Sequence, residues 1–69
     1  MNTDNVAEQI VILVIHFCVS RTGILNQYCS LSDIKYYRYR ADEARKWAKD
    51  IFRTECASEI WTTELAKLC

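Results

Sequence analysis

The sequence predicts an all-α fold: a helical hairpin with a third short C-terminal helix, dimerising through an apolar first helix. Three observations predict it. The 69 residues hold one Gly and no Pro, whereas all-β chains need turn residues repeatedly. Ile34, Tyr37, Ala41, Ala44, Ala48 and Ile51 step by three or four and draw one apolar stripe down a helix. Val6 to Val19 is apolar on nearly every side.

The first helix is expected over about residues 4–22. Thr3, Asp4 and Asn5 are N-cap types, and Asn5 with Glu8 forms a capping-box pattern. Gly23, the only glycine, falls where a C-terminal cap belongs. One face of this helix reads Val6, Ile10, Leu13, Val14 and Phe17; another reads Ala7, Val11, Ile15, Cys18 and Val19. Only a strip through Asn5, Gln9, His16 and Ser20 is polar, and Ile12 interrupts it. A helix apolar almost all round must be buried almost all round. One further helix pair from so small a chain is not expected to cover two faces. The economical solution is a homodimer with Val6, Ile10, Leu13, Val14 and Phe17 at the seam. A membrane span is the first alternative, but the apolar run is shorter than the ~17 residues a span needs, and no basic flank or aromatic belt precedes it. A strand at Ile10–Phe17 is the second, since its residues are β-branched; the capping signals and the lack of partner strands weigh against it.

Ile24 to Ser30 reads as a connector with a helical turn at Leu25–Tyr28, and Tyr28 and Leu31 are expected to pack under the hairpin. Ser30 with Asp33, or Ser32 alone, caps a second long helix over about residues 31–54. Beyond it the apolar phase slips: the stripe resumes, displaced, as Ala57, Ile60, Trp61, Leu65 and Leu68. Thr54 and Ser58 are N-cap types in the gap, so a kink or turn is placed there and a third helix over about residues 58–68. That helix folds back on the hairpin or lies across the other protomer. The whole forms one small domain.

Composition narrows the function classes. Half of the residues are hydrophobic, which excludes a disordered segment. A chain this short has a marginal core and needs a staple: disulfides, a metal or a second chain. Cys18, Cys29, Cys56 and Cys69 form no C-x-x-C pair and His16 is the only histidine, so no metal site and no cofactor is expected. Asp4 and Glu8, with no Lys or Arg before the apolar run, make the wrong n-region for a secretory signal. The expectation is therefore a cytoplasmic protein with free thiols; the even cysteine count leaves a secreted two-disulfide chain as the rival. His16 reads as a half-exposed residue of the polar strip, or as one hydrogen-bonded at the dimer seam, since a general acid–base site needs a positioned partner. No Gly-rich phosphate loop occurs, and no catalytic residue is assigned.

The net charge is zero but uneven. Lys35, Arg38, Arg40, Arg45, Lys46, Lys49 and Arg53 face only Asp42, Glu43 and Asp50 in the middle of the chain, while acids predominate elsewhere. The middle is a basic element on an acidic frame, suited to an acidic partner surface or to nucleic acid. It contains the run Lys35-Tyr36-Tyr37-Arg38-Tyr39-Arg40, and Tyr, Trp and Arg dominate interface energetics. Lys35, Tyr36, Arg38, Tyr39, Arg40 and Trp47 are the candidate partner-binding residues, with Tyr39, Arg40 and Trp47 as anchors and Lys35, Arg38, Arg45, Lys46 and Lys49 as a steering rim. The competing view makes Tyr36, Tyr37 and Trp47 core, with Asp42–Lys46 an ordinary surface pair. Nucleic-acid binding through the same basic aromatic helix is the alternative function; the acids Asp42 and Glu43 and the absence of helix-turn-helix spacing count against it.

A very short helical chain with a greasy first helix and an aromatic-basic second helix around Tyr39 resembles the small phage anti-activator proteins that disable a host quorum-sensing regulator. The resemblance rests on length and helix character across the whole chain. It implies a phage-encoded homodimer, acting in the host cytoplasm, that binds a LuxR-type transcription activator and blocks its DNA binding. It also implies a second partner, the type IV pilus assembly ATPase. In that setting Tyr39 and Trp47 are the foremost contact residues.

Overall fold

The computed structural model describes residues 5–21 and 25–68. Five helical segments follow in order: α1 (Val6–Ser20), α2 (Leu25–Tyr28), α3 (Leu31–Tyr37), α4 (Ala41–Thr54) and α5 (Glu59–Lys67). Among the described residues there is no strand, so the fold is all-α. The expected helix ends at residues 4 and 22, the Gly23 cap and Cys69 lie outside the described residues.

α1 starts where its cap demands. The Asn5 side chain accepts from the Glu8 N–H at 3.0 Å, one arm of the capping box. The Glu8 carboxylate leaves the other arm and pairs with Arg38 of the α3–α4 corner at 2.9 Å.

The residues expected at a seam between two copies lie in the core of one. Ile10, Val14 and Phe17 are 0%, 0% and 1% exposed inside a single chain, and Val6 and Leu13 pack partly buried against the same core. The fold reaches this by wrapping α1, which packs chiefly on α4 and also touches α2, α3 and α5. Elements on several sides of α1 bury most of its apolar surface, leaving Ile12 and Val19 exposed. The radius of gyration, 11.2 Å, matches the ~11 Å of a globular chain of this length.

That wrapping also explains a correction. Residues 31–54 were expected as one helix; they form two, α3 and α4, broken at Arg38–Arg40. No Gly or Pro marks the break. A straight helix of that length would run ~36 Å, against ~22 Å for α1, and would overhang it. The bend brings α3 back against α1 instead. Arg40 carries the bend, with φ −126° and ψ 84°, and its carbonyl accepts from Ala44 to open α4. Ser30 caps α3 as expected, accepting from the Asp33 N–H at 3.1 Å.

α4 buries Ala44, Ala48, Ile51 and Phe52. Phe17 of α1, Phe52 of α4 and Trp61 of α5 meet edge to face, Phe17 lying 4.9 Å from Phe52 and 5.3 Å from Trp61. The expected turn between Thr54 and Ser58 is a Schellman motif. Ala57 N–H donates to the Phe52 carbonyl at 2.8 Å, Cys56 N–H to that of Arg53 at 3.2 Å, and Cys56 is left-handed with φ 53°. Three residues expected to be buried face out: Val19 is 62%, Leu31 75% and Ile60 72% exposed. Leu31 sits on the first turn of α3, and Ile60 turns away while Trp61 and Leu65 reach the core. No helix among the described residues is long and apolar enough to cross a membrane.

Candidate partner-docking site

The break at Arg38–Arg40 turns the aromatic-basic run into a corner. Lys35 and Tyr36 end α3, Arg38 and Tyr39 form the turn, and Arg40 begins α4. Trp47 lies two turns into α4. The candidate residues thus come from three local conformations, not from one helix face.

The corner is braced from within. Tyr37 and Trp47 stack with centroids 4.5 Å apart and planes 14° from parallel, tying α3 to α4 across the bend. Tyr36 meets Tyr37 edge to face at 5.0 Å. The Arg40 guanidinium lies 4.1 Å from the Tyr36 ring centroid and donates to the Tyr36 carbonyl, one of the orphan acceptors at the end of α3. Arg38 reaches Glu8 on one side and lies 5.6 Å from the Tyr39 centroid on the other. That pair is half-exposed and contributes below about 1 kcal/mol, so it orients more than it stabilises. Burial pushes the Tyr37 hydroxyl above its usual range, and nearby Asp33 adds to the shift, so Tyr37 stays neutral.

The six candidates separate by role. Tyr39 is 71% exposed and Tyr36 46%, and Lys35, Arg38 and Arg40 are exposed around them. Trp47, expected as an anchor, is half-buried with one face covered by Tyr37; its place is that of a buttress. Farther along α4, Arg45 pairs with Asp42 at 2.8 Å and Arg53 with Asp50 at 2.5 Å. The expected Asp42–Lys46 pair is therefore Asp42–Arg45 in the structure. Among the described residues Lys35, Lys46 and Lys49 enter no ion pair, leaving their charge to act outward. The acids Asp42 and Glu43 occupy the first turn of α4, beside the corner.

Two residues were not picked out from the sequence. Leu31 stands one turn before Lys35 on the same face of α3 and offers exposed apolar surface there. Its apolar character had assigned it to the core, and only the wrapped packing leaves it outside. Glu55 is the other. Its side chain is 19% exposed and receives the Tyr28 hydroxyl at 2.5 Å and Arg21 at 3.6 Å, while its carbonyl accepts from Arg21 at 3.1 Å. It fastens the ends of α1, α2 and α4 together, a role no local pattern announces. His16 is exposed on α1, as the polar strip suggested.

Comparison with family models, with curated proteins and with solved structures finds no match.

Proposed function

We propose that this chain is a small non-catalytic inhibitor that docks on another protein through the Tyr36–Arg40 corner and occludes a surface its partner needs. The observation that carries the reading is Tyr39. A large aromatic ring stands 71% exposed at the tip of a turn, between two arginines already held against aromatic rings. Interface hot spots favour these residue types. Side chains fixed before binding lose less freedom on association, so a braced corner converts more of its contact area into affinity. Unpaired Lys35 and Lys46 add positive charge that steers an acidic partner.

The resemblance to phage anti-activators makes a LuxR-type transcription activator in the host cytoplasm the first partner to try, and a type IV pilus assembly ATPase the second. The homodimer carries no weight in this reading, because the residues expected at its seam are used within one copy.

The test is a pull-down with purified activator, using wild type, Tyr39→Ala and Trp47→Phe. Wild type should capture the activator and abolish its DNA binding. Tyr39→Ala should lose capture at least tenfold with an unchanged helical CD spectrum, and Trp47→Phe should retain it. Capture untouched by Tyr39→Ala would remove the corner from the interface. Direct binding of duplex DNA that weakens steeply with salt would instead favour the nucleic-acid reading.

A further inference from the structure

We propose that Cys18 and Cys29 form a dithiol modification site, which a small-molecule disulfide oxidises to an intrachain cystine. Cys18 lies in the last full turn of α1 and is 1% exposed. Cys29 sits in the connector directly before Ser30, the cap of α3, and is half-buried. The two sulfurs face each other at 3.8 Å, with the Cys29 thiol donating to Cys18 Sγ. A disulfide bond is ~2.05 Å, so closure asks the sulfurs to approach by under ~2 Å. The half-exposure of Cys29 supplies the point of attack that two fully buried thiols would lack.

The chemistry balances with glutathione disulfide as oxidant. Cys29, deprotonated by solvent, attacks one sulfur of glutathione disulfide, whose S–S bond breaks and releases one glutathione thiolate. Cys18 then gives up its proton and its sulfur attacks Cys29 Sγ, forming the Cys18–Cys29 bond and expelling the second glutathione thiolate. Two cysteine thiols are oxidised by two electrons, one glutathione disulfide is reduced to two thiols, and the two protons end on them. Burial pushes both cysteines above the usual thiol range, Cys29 to about 12. Little thiolate exists at neutral pH, so oxidation is slow there and quickens as pH rises.

Closure covalently joins the last turn of α1 to the residue before the Ser30 cap of α3, two elements that also pack directly on each other. A chain this small gains most from such a staple.

The experiment uses the full chain with Cys56→Ser and Cys69→Ser, so that only this pair carries thiols. Reduced protein is incubated with excess glutathione disulfide at mildly alkaline pH, quenched with iodoacetamide and weighed. The expected product has lost two hydrogens and takes up no alkyl group. Its Tm should rise by about 10 °C or more, reversed by dithiothreitol. Adding Cys29→Ser should leave a protein that takes up no glutathione and shows no rise in Tm. A stable glutathione adduct on the starting protein, or two alkylated thiols after prolonged oxidation, would overturn the assignment.

Discussion

Tyr37 and Trp47 lie face to face across the bend between α3 and α4, their ring centroids 4.5 Å apart. The contact gives the two most conspicuous aromatics of the basic segment different tasks. Trp47 holds the corner's shape, while Tyr39 at its tip touches little of its own chain beyond Arg38. Trp47→Ala should therefore cost about 2–3 kcal/mol, less than a fully buried Trp because it is half-exposed. Tyr39→Ala should cost below about 0.5 kcal/mol. Urea unfolding followed by CD compares them directly. Equal costs would mean that Tyr39 is part of the fold and unavailable to a partner.

The location of the core makes a second prediction, about concentration. Ile10 and Val14 are wholly enclosed by one chain. Truncating either to Ala should destabilise by about 2–4 kcal/mol through lost contacts and the cavity left behind. If one copy is self-sufficient, the unfolding midpoint should stay the same between roughly 1 and 100 µM protein, whereas an obligate dimer gains stability with concentration. Ile12→Ser, on the outward strip, should change stability by less than about 1 kcal/mol. A midpoint that climbs with concentration in the wild type would return α1 to an intersubunit role.

What could be read from the sequence follows from how local each signal is. The Asn5 and Ser30 caps lie within three residues of the N–H groups they serve, and both are where the pattern placed them. The turn after Thr54 was visible because the apolar phase slipped there. The bend at Arg38–Arg40 left no mark of that kind. The stripe from Ile34 through Tyr37 to Ala41 stays in helical register across it, and no residue of the run is a breaker. The bend is set by the length of α1 and the stack of Tyr37 on Trp47, both tertiary facts. The same cause puts the residues of the expected seam inside one copy. Periodicity called for cover on nearly every side of α1; it could not show that α2, α3 and α5 would share that task with α4, or that Ile12 and Val19 would stay exposed. The docking residues were identified by type, and the separation of anchor from buttress needed the fold.

Cys56 offers a stabilising substitution. It occupies the left-handed position of the α4 cap, with φ 53°, where a side chain costs about 1 kcal/mol relative to glycine. Its thiol is exposed, so little packing is lost on removal. Cys56→Gly should raise stability by about 0.5–1 kcal/mol, a gain of several degrees in Tm. Cys56→Val, β-branched and ill-suited to positive φ, should lower it. Calorimetry of both variants in reducing buffer reads the difference, and the opposite order would show that α4 ends in some other way.

Alkaline pH should unfold this protein earlier than its acids and bases in isolation would suggest. Tyr28 donates to the Glu55 carboxylate, and that hydrogen bond pushes its hydroxyl above the ordinary value of 10.0. Burial raises Cys29 from 9.0 to about 12 and lifts Cys18 in the same direction. In each case the folded chain keeps its proton to higher pH than the unfolded chain does. Below the unfolded value both states are protonated and the contribution is complete. Above it the unfolded state sheds protons first, so stability falls with rising pH until the folded groups titrate as well. The Tm should be level from about pH 7 to 8.5 and decline above about pH 9, first through the thiols and then through Tyr28 and Tyr37. Cys29→Ser should delay the onset of the decline. Tyr28→Phe should lower the Tm across the whole range, by removing the bond to Glu55, yet flatten its slope above about pH 10. A wild-type Tm that stays level to about pH 11 would mean that these protons are held no more tightly in the folded chain than in the unfolded one.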